Sequence, residues 1–263
     1  MGLARTGQHV VLVCRDPVRG EAAIGWIARQ VPRASLESRL SDLASVRATR
    51  RLGEEISAQH PSLGLLVNNA GMFTARRQST AEGLEATLAV NHLAPFVLTD
   101  ALEPALRAGA PSRIVNVGSS RSDRAEIDPE NLELARGWGM VRAYSRSKLA
   151  MMIATFARAE RLRDSGVAAH VVHPGAVATN LVREGGAIGI AWRLMAPFLR
   201  TEEQGANTPL HVALAPEWAT VTGAYVKDRA AARPNPRALD PVLAARVDTA
   251  TRALIEAAID REA

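Results

Sequence analysis

Four short, near-continuous apolar runs constrain this chain more than any other feature of it. They are His9 to Cys14 (HVVLVC), Leu63 to Asn68 (LGLLVN), Arg113 to Val117 (RIVNV) and Val167 to His173 (VAAHVVH). Each has the length of a strand, and an apolar run without alternation suits a parallel strand covered on both faces. A weaker strand candidate spans Ser35 to Ser38. Between the runs, Glu21 to Gln30, Leu43 to Gln59, Ala81 to Ala108 and Tyr144 to Asp164 carry helical spacing. The order β-α-β-α predicts an α/β fold built on a doubly wound parallel sheet. Further on, a helix is expected over Thr201 to Ala213, a short strand over Gly223 to Val226 and a closing helix over Pro241 to Ala258. The Pro- and Arg-rich stretch Ala230 to Pro236 reads as an exposed loop. At 263 residues the chain can bury one large core, so 1–263 is expected to be a single domain.

Composition excludes several classes. With 47% hydrophobic and 22% charged residues the chain is neither disordered nor a coiled coil. The single Cys14 cannot form an internal disulfide, and no apolar run reaches the roughly 20 residues of a membrane span. The start has no signal-peptide core, so a cytoplasmic location is expected. A net charge of +5 comes from arginines interleaved with acids, which suits a phosphate-bearing small molecule rather than nucleic acid. No internal repeat, metal-ligand cluster or low-complexity tract is read from the sequence.

Doubly wound sheets bind ligands at the carboxyl ends of their strands. The chemistry-bearing motif is Tyr144-Ser145-Arg146-Ser147-Lys148. At a spacing of four the tyrosine and lysine share one helix face. A cation about 4 Å from the phenol, at an effective dielectric of about 20, is worth at most roughly 4 kcal/mol, or about 3 pKa units. Lys148 is therefore expected to lower the pKa of Tyr144 and make it a usable acid and base. The chain has two tyrosines and two lysines, so a chance match is rare, at about 0.015.

Other candidates fall at strand ends. Arg15, directly after the first run, would face the adenosine ribose of a bound dinucleotide and pair with a 2′-phosphate, favouring NADP(H) over NAD(H); an arginine opening a helix would look the same. Asp42, next to Leu43, would touch an adenine or cap the following helix. The small residues of Asn68-Asn69-Ala70-Gly71 allow close backbone approach to a ligand, or form a simple turn. Asn91 sits within an apolar helical run beside His92, which reads as a satisfied core residue. Ser119, after Gly118, can donate to a substrate carbonyl. Pro174-Gly175, followed by Val177 and Thr179, breaks the last long strand run across the far end of the ligand. The apolar stretch from Ala187 to Leu199 suggests a helical lid over a lipophilic pocket, set within 176–205; a dimer-contact or membrane-surface helix are alternatives.

Together these motifs resemble the short-chain dehydrogenase/reductase family over nearly the whole chain, and within it the retinol-dehydrogenase-like branch. The resemblance implies a Rossmann-like fold and an NADP(H)-dependent exchange of hydride with a small lipophilic carbonyl or alcohol. It implies that Tyr144 is the acid/base, that Lys148 also holds the nicotinamide ribose, that Ser119 orients the carbonyl and that Asn91 positions a relay water. Asp42, Leu43, Asn69, Ala70, Gly71, Pro174, Gly175, Val177 and Thr179 would line the cofactor, and a helix-bundle homodimer would suit the family.

The sequence departs from the family at its start. The Thr-Gly-x-x-x-Gly-x-Gly phosphate loop and the strand before it do not occur, and Leu3 to Gly7 looks like the end of the helix that should follow them. That strand would lie between those at His9 to Cys14 and Leu63 to Asn68, so both are expected to lack ladder partners. A truncated or misplaced start is the expected explanation. The competing expectation is a non-catalytic binding or interaction module of the same fold.

Overall fold

The computed structural model describes residues 1–177 and 199–261. Thr179 and most of the expected lid lie outside the described residues. The strands are β1 (His9–Cys14), β2 (Ser35–Leu40), β3 (Leu65–Asn68), β4 (Ser112–Val117), β5 (Val167–His173), β6 (Ala224–Lys227) and β7 (Ala230–Ala232). The helices are α1 (Pro17–Gln30), α2 (Val46–Gln59), α3 (Ala86–Leu88), α4 (Ala94–Ala108), α5 (Met140–Arg161), α6 (Glu202–Leu214) and α7 (Pro241–Asp260). Every strand expected from the apolar runs is present, including the weak one after Ser35.

Strands β3 to β6 run parallel in sequence order, and β7 closes the sheet antiparallel to β6. Both faces are covered, as continuous apolar runs require. Ile114 packs with Leu52 and Ile56 of α2 and with Leu98, Leu102 and Leu106 of α4. Its neighbours Val115 and Val117 point the other way, into a cluster with Val212 and Ala213 of α6. The period of two along β4 thus places one helical layer on each side.

The sheet is divided. β1 and β2 pair in parallel as a separate two-stranded unit, with His9 opposite Ser35 and Val11 opposite Glu37. Among the described residues β1 pairs only with β2, and β3 only with β4. The division falls between the two strands that the family pattern would separate by one more. Val11 and Val13 of β1 and Leu66 of β3 nonetheless pack against the same cluster. Both strands stay mostly half-buried, whereas β4 and β5 are almost wholly buried.

Helix starts follow local chemistry. Asp16 caps α1 by accepting from the Arg19 amide, and Pro17 takes the first helical position. Ser45 caps α2, and the buried Glu82 carboxylate accepts from the Val46 and Arg47 amides at the same helix end. Thr201 and Gln204 form a reciprocal capping box on α6.

Three expectations are corrected in detail. The helix read over Ala81 to Ala108 begins at Ala86 and passes through a π-helical segment, Ala89–Leu93, before α4. Helix α5 begins one turn before Tyr144, at Met140. The loop read over Ala230 to Pro236 opens with β7, joined to β6 through Asp228 and Arg229, both left-handed at φ 48° and 65°. That is the geometry of a tight hairpin, but Asp-Arg lacks the glycine that usually signals it. His92 is the buried core residue expected, but it is satisfied at one nitrogen only: Nε2 lies 2.8 Å from the Thr251 hydroxyl, Nδ1 has no partner among the described residues, and burial holds its pKa down at about 3.

Candidate active site

The site forms where α5 crosses the carboxyl end of β4. Tyr144 and Lys148 are one turn apart on α5 and share a face, and both reach toward that strand end. The Lys148 ammonium is buried and donates to the Val117 carbonyl at 2.8 Å. Its pKa falls to about 8 because burial disfavours the charge. The half-buried Tyr144 phenol faces the Ser119 hydroxyl, two residues beyond Val117, closely enough for Ser119 to influence its titration. Phe73 meets the Tyr144 ring edge-on at 5.0 Å and steadies it from the β3 side.

The electrostatics differ from the expectation that Lys148 depresses the phenol. Burial raises the Tyr144 pKa, and the opposing influences are the Ser119 hydrogen bond and the Arg121 charge. The physical reason is direction: the ammonium is turned onto the Val117 carbonyl, and the phenol onto Ser119. The other tyrosine, Tyr225, is buried on β6 and donates to Asp123 at 2.8 Å, away from this group.

Ser119 is held in place by its own turn, its hydroxyl accepting from the Arg121 amide at 3.3 Å. Gly118 lets the chain make that turn against β5, since a Cβ there would lie 2.7 Å from the Val171 Cγ1 atom. Asn91, wholly buried in the π-helical segment, accepts from the Met72 amide at 2.7 Å and donates to the Met72 carbonyl at 2.9 Å and the Ser147 hydroxyl at 3.0 Å. Both its amide hydrogens are therefore used, and it ties the loop after β3 to the residue beside Lys148. A π-segment shifts side-chain direction locally and so aims Asn91 inward.

The loop Asn69, Ala70 and Gly71 follows β3 and is exposed, while Asn68 is buried in a ladder to Asn116 at 2.7 Å. Asn116 passes the ladder to Thr155 of α5 at 2.7 Å. Arg15 is exposed at the carboxyl end of β1 and makes no hydrogen bond or ion pair among the described residues, Asp16 being committed to its cap. Asp42 accepts from the Ala44 amide at 3.1 Å, so its carboxylate serves the turn before Ser45, and Leu43 packs into the core. Pro174 and Gly175 turn the chain after β5, with Gly175 left-handed at φ 86° under the Arg200 side chain. Val177 bridges to Arg200 and packs on Gly205. A cavity of about 780 Å³ beside this turn is lined by Arg200, Gln204, Thr208, His211 and Asp228, and Ser119, Tyr144 and Lys148 do not border it.

Phe73 and Arg121 join the site although the motif reading omits them, and Ser147, which stands in the motif without a role, joins it through Asn91. Phe73 carried one weak signal, an aromatic two residues beyond Gly71; Ser147 and Arg121 carried none, because serines and arginines are scattered throughout.

Comparison with known proteins agrees with this geometry. A family model described as short chain dehydrogenase matches residues 1–187. Retinol dehydrogenase 12 of Bos taurus is 37% identical over 236 residues, covering 90% of this chain and 75% of that protein. Among solved structures, an uncharacterized protein from Mycobacterium paratuberculosis superposes with a TM-score of 0.75 at 28% identity, over 97% of this chain and 86% of that one. A short chain dehydrogenase from Burkholderia cenocepacia in complex with NADP superposes with a TM-score of 0.65 at 27% identity, over 86% of this chain and 87% of the other.

Proposed function

The chain belongs to the short chain dehydrogenase family, and from that premise we propose that it is an NADP(H)-dependent oxidoreductase interconverting a carbonyl and an alcohol on a small lipophilic substrate. The observation that carries the reading is the meeting of Ser119, Tyr144 and Lys148 at one strand end. The relatives point the same way, being named retinol dehydrogenases or solved with NADP.

The residues fit such a cofactor at two places. A buried ammonium has three hydrogens to donate, and Lys148 has one acceptor, Val117, among the described residues. Two donors therefore remain for a ribose diol. Arg15, exposed and unpaired among the described residues, suits a 2′-phosphate. Asn69, Ala70, Gly71, Pro174, Gly175 and Val177 supply backbone on either side. The bound nicotinamide supplies the hydride chemistry.

The chain's own residues supply the rest. Tyr144, whose phenol carries its proton at neutral pH as any tyrosine's does, donates that proton to the substrate oxygen in the reducing direction. The Ser119 hydroxyl bonds the same oxygen and stabilises the charge that develops there. Asn91 holds the Met72 main chain and Ser147, and one lone pair on its Oδ1 stays available to a relay water. A cytoplasmic homodimer completes the reading; light scattering on the purified protein checks the dimer. Among the described residues no helix is long and apolar enough to cross a membrane.

The divided sheet favours one second reading, a non-catalytic interaction module. Titrating NADPH by fluorescence, then following its oxidation with retinal, steroid, quinone and fatty-aldehyde substrates, separates the two. Binding with turnover on a lipophilic carbonyl is expected. A protein that neither binds NADPH nor turns over any of them is the module.

A further inference from the structure

Three residues far apart in sequence converge at the amino-terminal end of β1, at the opposite end of that strand from Arg15. The Nε2 atoms of His9 and His60 both lie 3.1 Å from the same Glu37 oxygen, Oε2. The three potential ligand atoms fall within 4.8 Å of one another. The imidazole rings lie side by side, with centroids 5.3 Å apart and a tilt of 31°. No local spacing in the sequence announces residues 9, 37 and 60 as neighbours; the pairing of β1 with β2 and the end of α2 bring them together.

We infer that His9, Glu37 and His60 form a binding site for a borderline divalent transition metal of the zinc class, which clamps the β1–β2 unit to helix α2. The donor set is two neutral imidazoles and one carboxylate, with a fourth position open to water. Tetrahedral ligands at about 2.0 to 2.1 Å from zinc stand about 3.4 Å apart, so the two 3.1 Å contacts to Glu37 need to open by a few tenths of an ångström, and the two imidazole nitrogens, within 4.8 Å of each other, need to settle at that same spacing. The His9 ring is already oriented from behind, its Nδ1 lying 2.7 Å from the Ser35 hydroxyl. With Nε2 on the metal, Nδ1 carries the proton and donates to that hydroxyl, the usual support of a metal-bound histidine. Arg39 bonds the other Glu37 oxygen, Oε1, leaving Oε2 to the metal. Arg39 also reaches Gln59, beside His60. Its charge opposes a bound cation, so hard ions that rely on several carboxylates are disfavoured, and the two nitrogen donors select zinc, copper, nickel or cobalt.

The clamp has a place in the fold. β1 and β2 share no hydrogen-bonded ladder with the five-stranded sheet among the described residues. His60 ends α2, whose Leu52 and Ile56 are buried against α4. A metal held by β1, β2 and the end of α2 therefore fastens the small sheet to the main body. It does so independently of the proposed catalysis.

The test uses the full chain, stripped with chelator, and cobalt(II) as a spectroscopic probe. Visible d–d bands of tetrahedral intensity are expected at one equivalent, lost on adding zinc(II), with a zinc-dependent rise in melting temperature. His60→Ala and Glu37→Gln should abolish both signals, and Ser35→Ala should weaken binding by roughly tenfold. Arg39→Gln should tighten it. His9→Asn, on the exposed edge, serves if the others fold poorly. Absence of cobalt bands in the unaltered protein, or bands and a melting shift that persist in His9→Asn and His60→Ala, would overturn the site.

Discussion

The Lys148 ammonium rests 2.8 Å from the main-chain carbonyl of Val117, inside the protein rather than at its surface. That contact anchors α5 to the strand that delivers Ser119. It therefore sets the distance between the phenol and hydroxyl on which the proposed chemistry relies.

Burial of that ammonium has a pH signature. The Lys148 pKa is lowered from 10.5 to about 8, so between those values the unfolded chain holds a proton that the folded chain does not. Stability consequently rises with pH from about 8 to 10.5, and below about 8 the cost of the buried charge is constant. Lys148→Met should flatten this rise and lose all activity. Its stability at pH 7 should gain at most roughly 3 kcal/mol, less the lost Val117 bond. Urea unfolding across the alkaline range checks this; an unchanged slope in the variant would exclude the assignment.

Tyr144→Phe keeps the ring that Phe73 contacts and removes only the hydroxyl. NADPH affinity should stay within about twofold and turnover should fall by at least about 100-fold, the usual contribution of a general acid. Paired binding and steady-state measurements decide it, and retained turnover would remove Tyr144 from its role.

Arg15→Glu reverses the charge at the end of β1. NADPH affinity should drop roughly tenfold or more, on the scale of one charge-assisted hydrogen bond, while NADH affinity holds or improves. Titrating both cofactors against both proteins gives the answer. An equal effect on the two would mean that Arg15 does not read the phosphate.

Gly118→Ser places a Cβ 2.7 Å from Val171 Cγ1, in a core with no slack. The variant should lose about 1 to 3 kcal/mol of stability, as overpacked sites do. Chemical denaturation measures the loss, and a wild-type midpoint would show that β5 yields more easily than its packing implies.

The sequence by itself determined the order of elements, because strands covered on both faces must be apolar throughout and helices between them must repeat near every fourth residue. It also put Tyr144 and Lys148 on one helix face and Ser119 just beyond a strand, since side chains one helical turn apart, or just past a strand end, have their place dictated by local geometry. Only the tertiary structure decided where charges and hydrogen bonds go. Lys148 turns to Val117 instead of the phenol, Asp42 closes a turn, and Asn91 clasps Met72, because each choice depends on which partner a distant segment brings near. The same holds for His9, Glu37 and His60, whose meeting has no trace in one-dimensional spacing: pairing of β1 with β2 and packing of α2 beside them create it.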